Sequence, residues 1–167
     1  MLILPLVFYE MKLFVLSFCV VLPVFSYTGD MLLDSDKVFH IVDGDSINVR
    51  MRIAGIDTPE VNQKCKITEN ETIDCGVLSK RYFQNIIQEI PGDLVVSLVG
   101  VDHYNRLLVK VFKGSTDIGR LMVEDGMAFS YKDDYRLEED ASKKNKTGFW
   151  GFYSPPIEPY KWRKKYK

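Results

Sequence analysis

The run 42–60, VDGDSINVRMRIAGIDTPE, admits few architectures. It is rich in β-branched and apolar residues, has no helical period, and is interrupted by Asp43-Gly44 and Gly55, so it reads as short strands joined by tight turns. Asp45, Arg52, Asp57 and Glu60 stand within it. Asp45 and Asp57 are carboxylates at turn positions, where backbone carbonyls and water also reach, the donor set that a hard divalent cation takes. Thr58-Pro59 stiffens the chain after Asp57, because proline sets its own φ and biases its predecessor toward extended geometry. That stiffness holds Glu60 at a set distance from Asp57. Strict alternation along a strand would send Arg52 and Asp57 to opposite faces. A bend at Gly55 would bring both into one cleft.

Around this run, 167 residues that are 46% hydrophobic suffice for one compact core. The formal net charge of −1 excludes a strongly basic polyanion binder, but Lys161, Arg163, Lys164, Lys165 and Lys167 concentrate positive charge in the last seven residues. Such a tail either holds a phosphate backbone nonspecifically or is a solvated terminus. Near the other end, Lys12 precedes LFVLSFCVVLPVFS, an apolar run broken by Pro23 and followed by Tyr27. Residues 1–26 therefore read as a signal peptide and the protein as exported, with a retained N-terminal membrane anchor as the alternative; the run is short of the roughly 20 residues a span needs. Residues 27–36 read as a linker. Cys19 leaves with the signal, and Cys65 and Cys75 remain as an even pair. In an exported chain they read as a disulfide worth about 2–3 kcal/mol. A zinc site fits less well, since the pair lacks CxxC spacing and neither His40 nor His103 is near in sequence; without export the two are free thiols.

Taken in order, 38–42 is a first strand and 46–56 supplies further strand sequence. The polar stretch 61–74 reads as a loop. Residues 76–90 carry Val77, Leu78, Phe83, Ile86, Ile87 and Ile90 at helical spacing before Pro91-Gly92 stops the run. Residues 94–101 and 107–112 form a hairpin whose turn is shaped by Asp102 and Asn105. A second helix lies within 114–126, capped by Ser115, Thr116 or Asp117 and ended by Gly126. A short extended run follows at 127–131. A charged helix over 136–146 has Leu137 and Ala141 as its thin apolar face, and Trp150 reads as a core anchor. Residues 154–167 are a Pro-rich, aromatic and basic extension, packed back on the domain or stacking Tyr160 or Trp162 on bases. The ensemble suits a β-rich α+β domain over 37–153, a five-stranded barrel with about three helices.

Two blocks in this chain, Asp43-Gly44-Asp45-Ser46 with Arg52-Ile53-Ala54-Gly55-Ile56-Asp57-Thr58-Pro59-Glu60, and Asp102-His103-Tyr104-Asn105-Arg106, resemble the signature segments of the staphylococcal nuclease family. The resemblance runs from about Lys37 to Trp150. It implies an OB-fold and a calcium-dependent endonuclease cleaving DNA or RNA with little sequence preference, leaving 3'-phosphate ends. It further implies a metal site on Asp45, Asp57 and the Thr58 carbonyl, with calcium the expected ion and magnesium or another divalent cation the alternative. Arg52 and Arg106 would donate to the phosphoryl oxygens, and Glu60 would position or deprotonate the attacking water. His103, Tyr104, Tyr131 and Tyr135 fall where the family contacts substrate. The chain departs from the family in five places: only six residues separate Asp45 from Arg52, the 76–90 helix lacks an early Glu-x-Ala pattern, Asn105 replaces a glycine, His103 replaces a lysine, and the gap at Tyr131 and Tyr135 differs.

The expected partner is nucleic acid, the expected state a monomer without a stable protein partner. Two readings compete: a noncatalytic nucleic-acid-binding barrel, against which all five site side chains argue, and a secreted interaction domain, which predicts no metal dependence and no effect of replacing Arg52. An EF-hand reading of the Asp-Gly-Asp turn fails, because no bidentate glutamate stands at the twelfth position.

Overall fold

The computed structural model describes residues 38–166, which belong to one compact unit spanning 33–167. The expected signal peptide and linker lie outside the described residues. Strand β1 (Phe39–Ile41) turns at 43–46 into β2 (Ile47–Val49), with the Val42 amide donating to the Ser46 carbonyl at 2.9 Å. Only Arg50 separates β2 from β3 (Met51–Ile53), which pairs in parallel with β8 (Leu107–Lys113). β8 also pairs antiparallel with β7 (Leu94–Val101) and with β9 (Thr116–Asp117). β4 (Ile56–Asp57) pairs with β10 (Phe129–Ser130), and β5 (Lys64–Lys66) with β6 (Thr72–Asp74). Four α-helices are present among the described residues: α1 (Cys75–Glu89), α2 (Ile118–Glu124), α3 (Arg136–Asn145) and α4 (Pro159–Tyr166). A 3-10 turn at Gly148–Gly151 joins the last two.

Alternation along β8 buries Leu107, Val109 and Val111. These pack with Ile86 of α1, Ile118, Met122 and Val123 of α2, Ala128 and Tyr135. Asp117 caps α2 by accepting from the Arg120 amide at 3.2 Å, and Gly126 follows that helix with φ +64°. Cys65, Cys75 and Phe149 form a second buried cluster.

Five expectations change. The five-stranded barrel with three helices is replaced, among the described residues, by a four-stranded sheet, three two-stranded sheets and a fourth helix. The six-residue spacing between Asp45 and Arg52 is the reason: β2 and β3 are three residues each, so β2 turns back on β1 while β3 joins β8. The segment 61–74 is a hairpin and not a loop, tied to α1 by the Cys65–Cys75 disulfide, whose Cα atoms lie 5.9 Å apart. Leu137 and Ala141 are exposed, and α3 buries Ser142 instead. Phe149, fully buried, is the anchor assigned to Trp150, which is half-buried, edge-on to Phe129 and beneath the Lys143 ammonium. The C-terminal extension coils into α4, seated by buried Pro156 and Pro159.

Candidate active site

Gly55 decides whether the acidic and basic residues of the first run can meet. It sits in a turn with φ +79°, a conformation open to glycine, between β3 and β4. The turn undoes the alternation that would part Arg52 from Asp57. Arg52 Nη2 donates to Asp57 Oδ1 at 3.2 Å and to the Ile56 carbonyl at 3.2 Å. Asp57 is itself buried, at 7% exposure, so its charge needs partners of this kind. Pro59 is buried, and the chain after it brings Glu60 onto the same group of charges. Gln63, at 1% exposure, fixes the far end of this turn by accepting from the Glu60 amide at 3.2 Å.

The other cation of this cluster comes from the far end of the chain. Arg163 on α4 donates through Nη2 to Asp57 Oδ2 at 2.7 Å. Its Nη1 donates to Asp57 Oδ1 at 3.3 Å and to Glu60 Oε1 at 3.0 Å. The bond to Asp57 raises the Arg163 pKa further, against the opposing effect of burial and with added help from Glu60, so the guanidinium is a fixed positive charge. Sequence reasoning missed Arg163, treating it as one of five basic residues in a tail. Its spacing of 106 residues from Asp57 carries no periodic signal. The buried Pro159 one turn earlier is the feature that fixes its phase on the helix.

Arg52, Ile56, Asp57, Thr58, Ser79, Lys80 and Phe83 line a cleft of about 230 Å³ beside this cluster. Tyr131, just after β10, packs beside Arg52: its amide donates to the Gly55 carbonyl at 2.9 Å, and the Arg52 guanidinium lies 5.4 Å from its ring centre. Tyr135, expected to touch substrate, is a core residue at 3% exposure. Its hydroxyl donates to Asp117 at 3.0 Å, and burial together with that bond holds the phenol above its usual pKa. The backbone turns at Lys132 and Asp133, both with positive φ, and carries Tyr135 away from the cleft.

The second arginine is held separately. Asp102 Oδ1 accepts from the amides of Tyr104 and Arg106, and Oδ2 accepts from Arg106 Nε at 2.7 Å. Burial alone would raise the Asp102 pKa, but the Arg106 backbone amide and guanidinium outweigh it and hold the carboxyl below the usual range. Asn105 takes φ +59°, which lets the turn close. Tyr104 is exposed, with its ring 5.2 Å from the Arg106 guanidinium and tilted 42° against that of exposed His103. Arg106, Tyr104, Asn105, Arg50, Asn48 and His40 line a separate cavity of about 630 Å³. Arg52 pairs across the sheet with Leu108, two residues from Arg106, so alternation places both arginines on one face.

The expected metal ligands are divided between the β1–β2 turn, which carries Asp45, and the end of β4, which carries Asp57 and Thr58. Asp45 lies in the exposed β1–β2 turn, where Ser46 Oγ donates to Oδ1 at 3.1 Å. Asp43, in the same turn, has its pKa lowered by the Ser46 hydroxyl. Asp57 and Thr58 are hard oxygen donors of the right chemistry, but both oxygens of Asp57 are taken by guanidinium groups. Among the described residues, no group of three or more His, Cys, Asp or Glu side chains is placed to hold a metal ion. With Arg163 docked, these residues do not fit a cation.

Residues 50–151 match the family model described as staphylococcal nuclease homologue. An uncharacterized endonuclease of Haemophilus influenzae is 28% identical over 78% of this chain and 74% of its own. A probable endonuclease of Komagataella phaffii is 29% identical over 78% of this chain and 75% of its own. A micrococcal nuclease of Shigella flexneri is 28% identical over 77% and 79% respectively. The matched segment contains Arg52, Asp57, Glu60 and Arg106 and stops short of Arg163.

Proposed function

The chain belongs to the family of staphylococcal nuclease homologues, and from that premise we propose that it is an exported, metal-dependent endonuclease hydrolysing phosphodiester bonds of DNA, RNA or both with little sequence preference. The observation that supports the reading is that Arg52, Asp57 and Glu60 share one charge cluster beside a cleft that Arg52, Asp57 and Thr58 line. Nuclease names among the relatives support it.

Phosphodiester hydrolysis needs donors for the charge that builds on the phosphoryl oxygens and a group that orients or deprotonates water. Arg52 supplies a planar fork at the cleft, and Arg106 a second one on the same sheet face. Asp57 and Asp102 hold these arginines in position. Glu60 is the carboxylate for water, and products ending in 3'-phosphate follow if water displaces the 5' oxygen. Tyr131 and Tyr104, each beside one arginine, are placed to pack on the sugar or base next to the scissile phosphate. Calcium dependence follows from the family resemblance. Asp57, the expected ligand beside the cleft, has both oxygens engaged by arginine. The monomeric state and the export route are part of the same proposal; the disulfide suits an oxidising compartment.

The test is cleavage of single-stranded DNA and of RNA by the full chain with calcium, magnesium or chelator, beside Glu60→Gln and Arg52→Ala. Each variant should lose about 10²-fold or more in rate. Products of the wild type should be extended at their 3' ends by a terminal transferase only after phosphatase treatment, while their 5'-hydroxyl ends accept a label from a kinase directly. A wild type that binds oligonucleotide yet stays inert with every metal would favour the noncatalytic barrel.

A further inference from the structure

The site described above contains a contradiction in charge. Its two carboxylates, the groups that a cation and an attacking water would need, are bridged by a single guanidinium from the C-terminal helix. We propose that Arg163 is a built-in competitor for the cation: α4 holds the Asp57–Glu60 pair in a guanidinium-filled, closed state, and cation binding requires the Arg163 side chain to leave. This inference rests on the nuclease reading for its functional meaning, though not for its physics.

Three observations converge on it. The contact is two-pronged on Asp57 and extends to Glu60, so it occupies the oxygens that a hard cation would take. The contact is also delivered by an anchored segment and not by a free tail. Gln63 Nε2 donates to the Ile157 carbonyl at 2.6 Å while its Oε1 accepts from the Glu60 amide, so one buried side chain ties the strap to the turn that carries Glu60. The Ser154 amide donates to the Lys66 carbonyl at 3.0 Å, joining the same strap to the disulfide hairpin. Finally, α4 is seated by buried Pro159 and half-buried Trp162, whereas Arg163 itself keeps about 30% of its side-chain surface exposed. The arginine side chain can therefore swing out to solvent while its helix stays in place. A fixed positive charge within hydrogen-bonding distance of both carboxylates must oppose a divalent ion there, by Coulomb repulsion and by direct competition for oxygens.

The experiment is calcium titration of the full chain by calorimetry, wild type beside Arg163→Ala, Arg163→Gln and Lys164→Ala, with melting curves for each. Replacing Arg163 by either residue should tighten calcium binding about tenfold or more. Lys164→Ala removes one charge from the same helix without touching a carboxylate, and should change the affinity less than about twofold. In a Trp150→Phe background, where Trp162 is the remaining tryptophan, calcium should shift the wild-type emission and leave that of Arg163→Ala unmoved. Should a melting curve show that one Arg163 variant is unfolded, the other and the Trp162 signal carry the decision. Unchanged or weaker calcium affinity in the folded Arg163 variants overturns the proposal, as does tighter binding matched by Lys164→Ala. Cleavage at saturating calcium separates the two readings. Tighter binding without cleavage in any protein sinks the nuclease reading alone, while cleavage by the wild type with no gain in affinity sinks the competitor alone.

Discussion

Gly76, the second residue of α1, lies so close to the turn that carries Glu60 that a β-carbon built on it would sit 1.9 Å from the Glu60 carbonyl oxygen. No real contact is that short, so the helix and the turn can approach only because this residue has no side chain. Gly76→Ala should therefore cost about 1–3 kcal/mol, as overpacking does, and should lower the cleavage rate by displacing Glu60. Thermal unfolding and cleavage rate, measured on the same preparation, check both halves; an unmoved melting temperature would mean that the turn yields freely. Gly55 is the second position where glycine is required, since its φ is positive and Asp134 and Tyr135 crowd the place a β-carbon would take. The bend at Gly55 and the left-handed turn at Asn105 were legible as local chemistry. Gln63 was not: a glutamine in a polar stretch gives no sign that its side chain will be buried between two segments 94 residues apart.

At the scale of elements, the β5–β6 hairpin depends on the disulfide more than on its own pairing. Its strands are three residues each, too short to be stable alone in water, and Cys65 and Cys75 are its buried link to α1. Reduction, or Cys65→Ser with Cys75→Ser, should lower unfolding stability by about 2–3 kcal/mol, the loop-closure contribution of a cross-link between residues 10 apart. Urea unfolding with and without reductant measures it, and equal midpoints would show that Phe149 and its neighbours hold the hairpin unaided. The same hairpin receives the C-terminal strap through Lys66 and Ile67, so reduction should also loosen the seating of α4. Helix α1 was legible from its apolar spacing and its Pro91-Gly92 stop. The phase of α3 was misread, because a helix this polar is held by Ser142 against the close approach of Gly126 and not by an apolar stripe.

For the molecule as a whole, charge placement sets how stability responds to acid. The Asp102 carboxyl is held below its ordinary range in the folded state, with the Arg106 amide and guanidinium overcoming the effect of burial. A lowered folded pKa means that the stabilisation is complete above the unfolded value of about 3.9 and fades as pH falls through the lower folded value. Urea unfolding followed from pH 7 downward should show this loss below about pH 4, and Asp102→Asn should flatten part of it; parallel acid branches in the two proteins would count against the ion pair. Taken alone, the sequence determined the family and the α1 and β7–β8 elements, and it offered the bend at Gly55 and the pairing of Cys65 with Cys75 that the structure shows. Each of these rests on residues near one another in the chain, where turn chemistry and periodicity act directly. The tertiary structure alone decided three other things. It left the strands among the described residues unclosed as a barrel, it put Tyr135 in the core while Tyr131 stayed exposed beside Arg52, and it brought Arg163 onto Asp57 and Glu60. Those outcomes depend on which surfaces are buried against which, and no local pattern records a charge pair formed across more than a hundred residues by the docking of a helix.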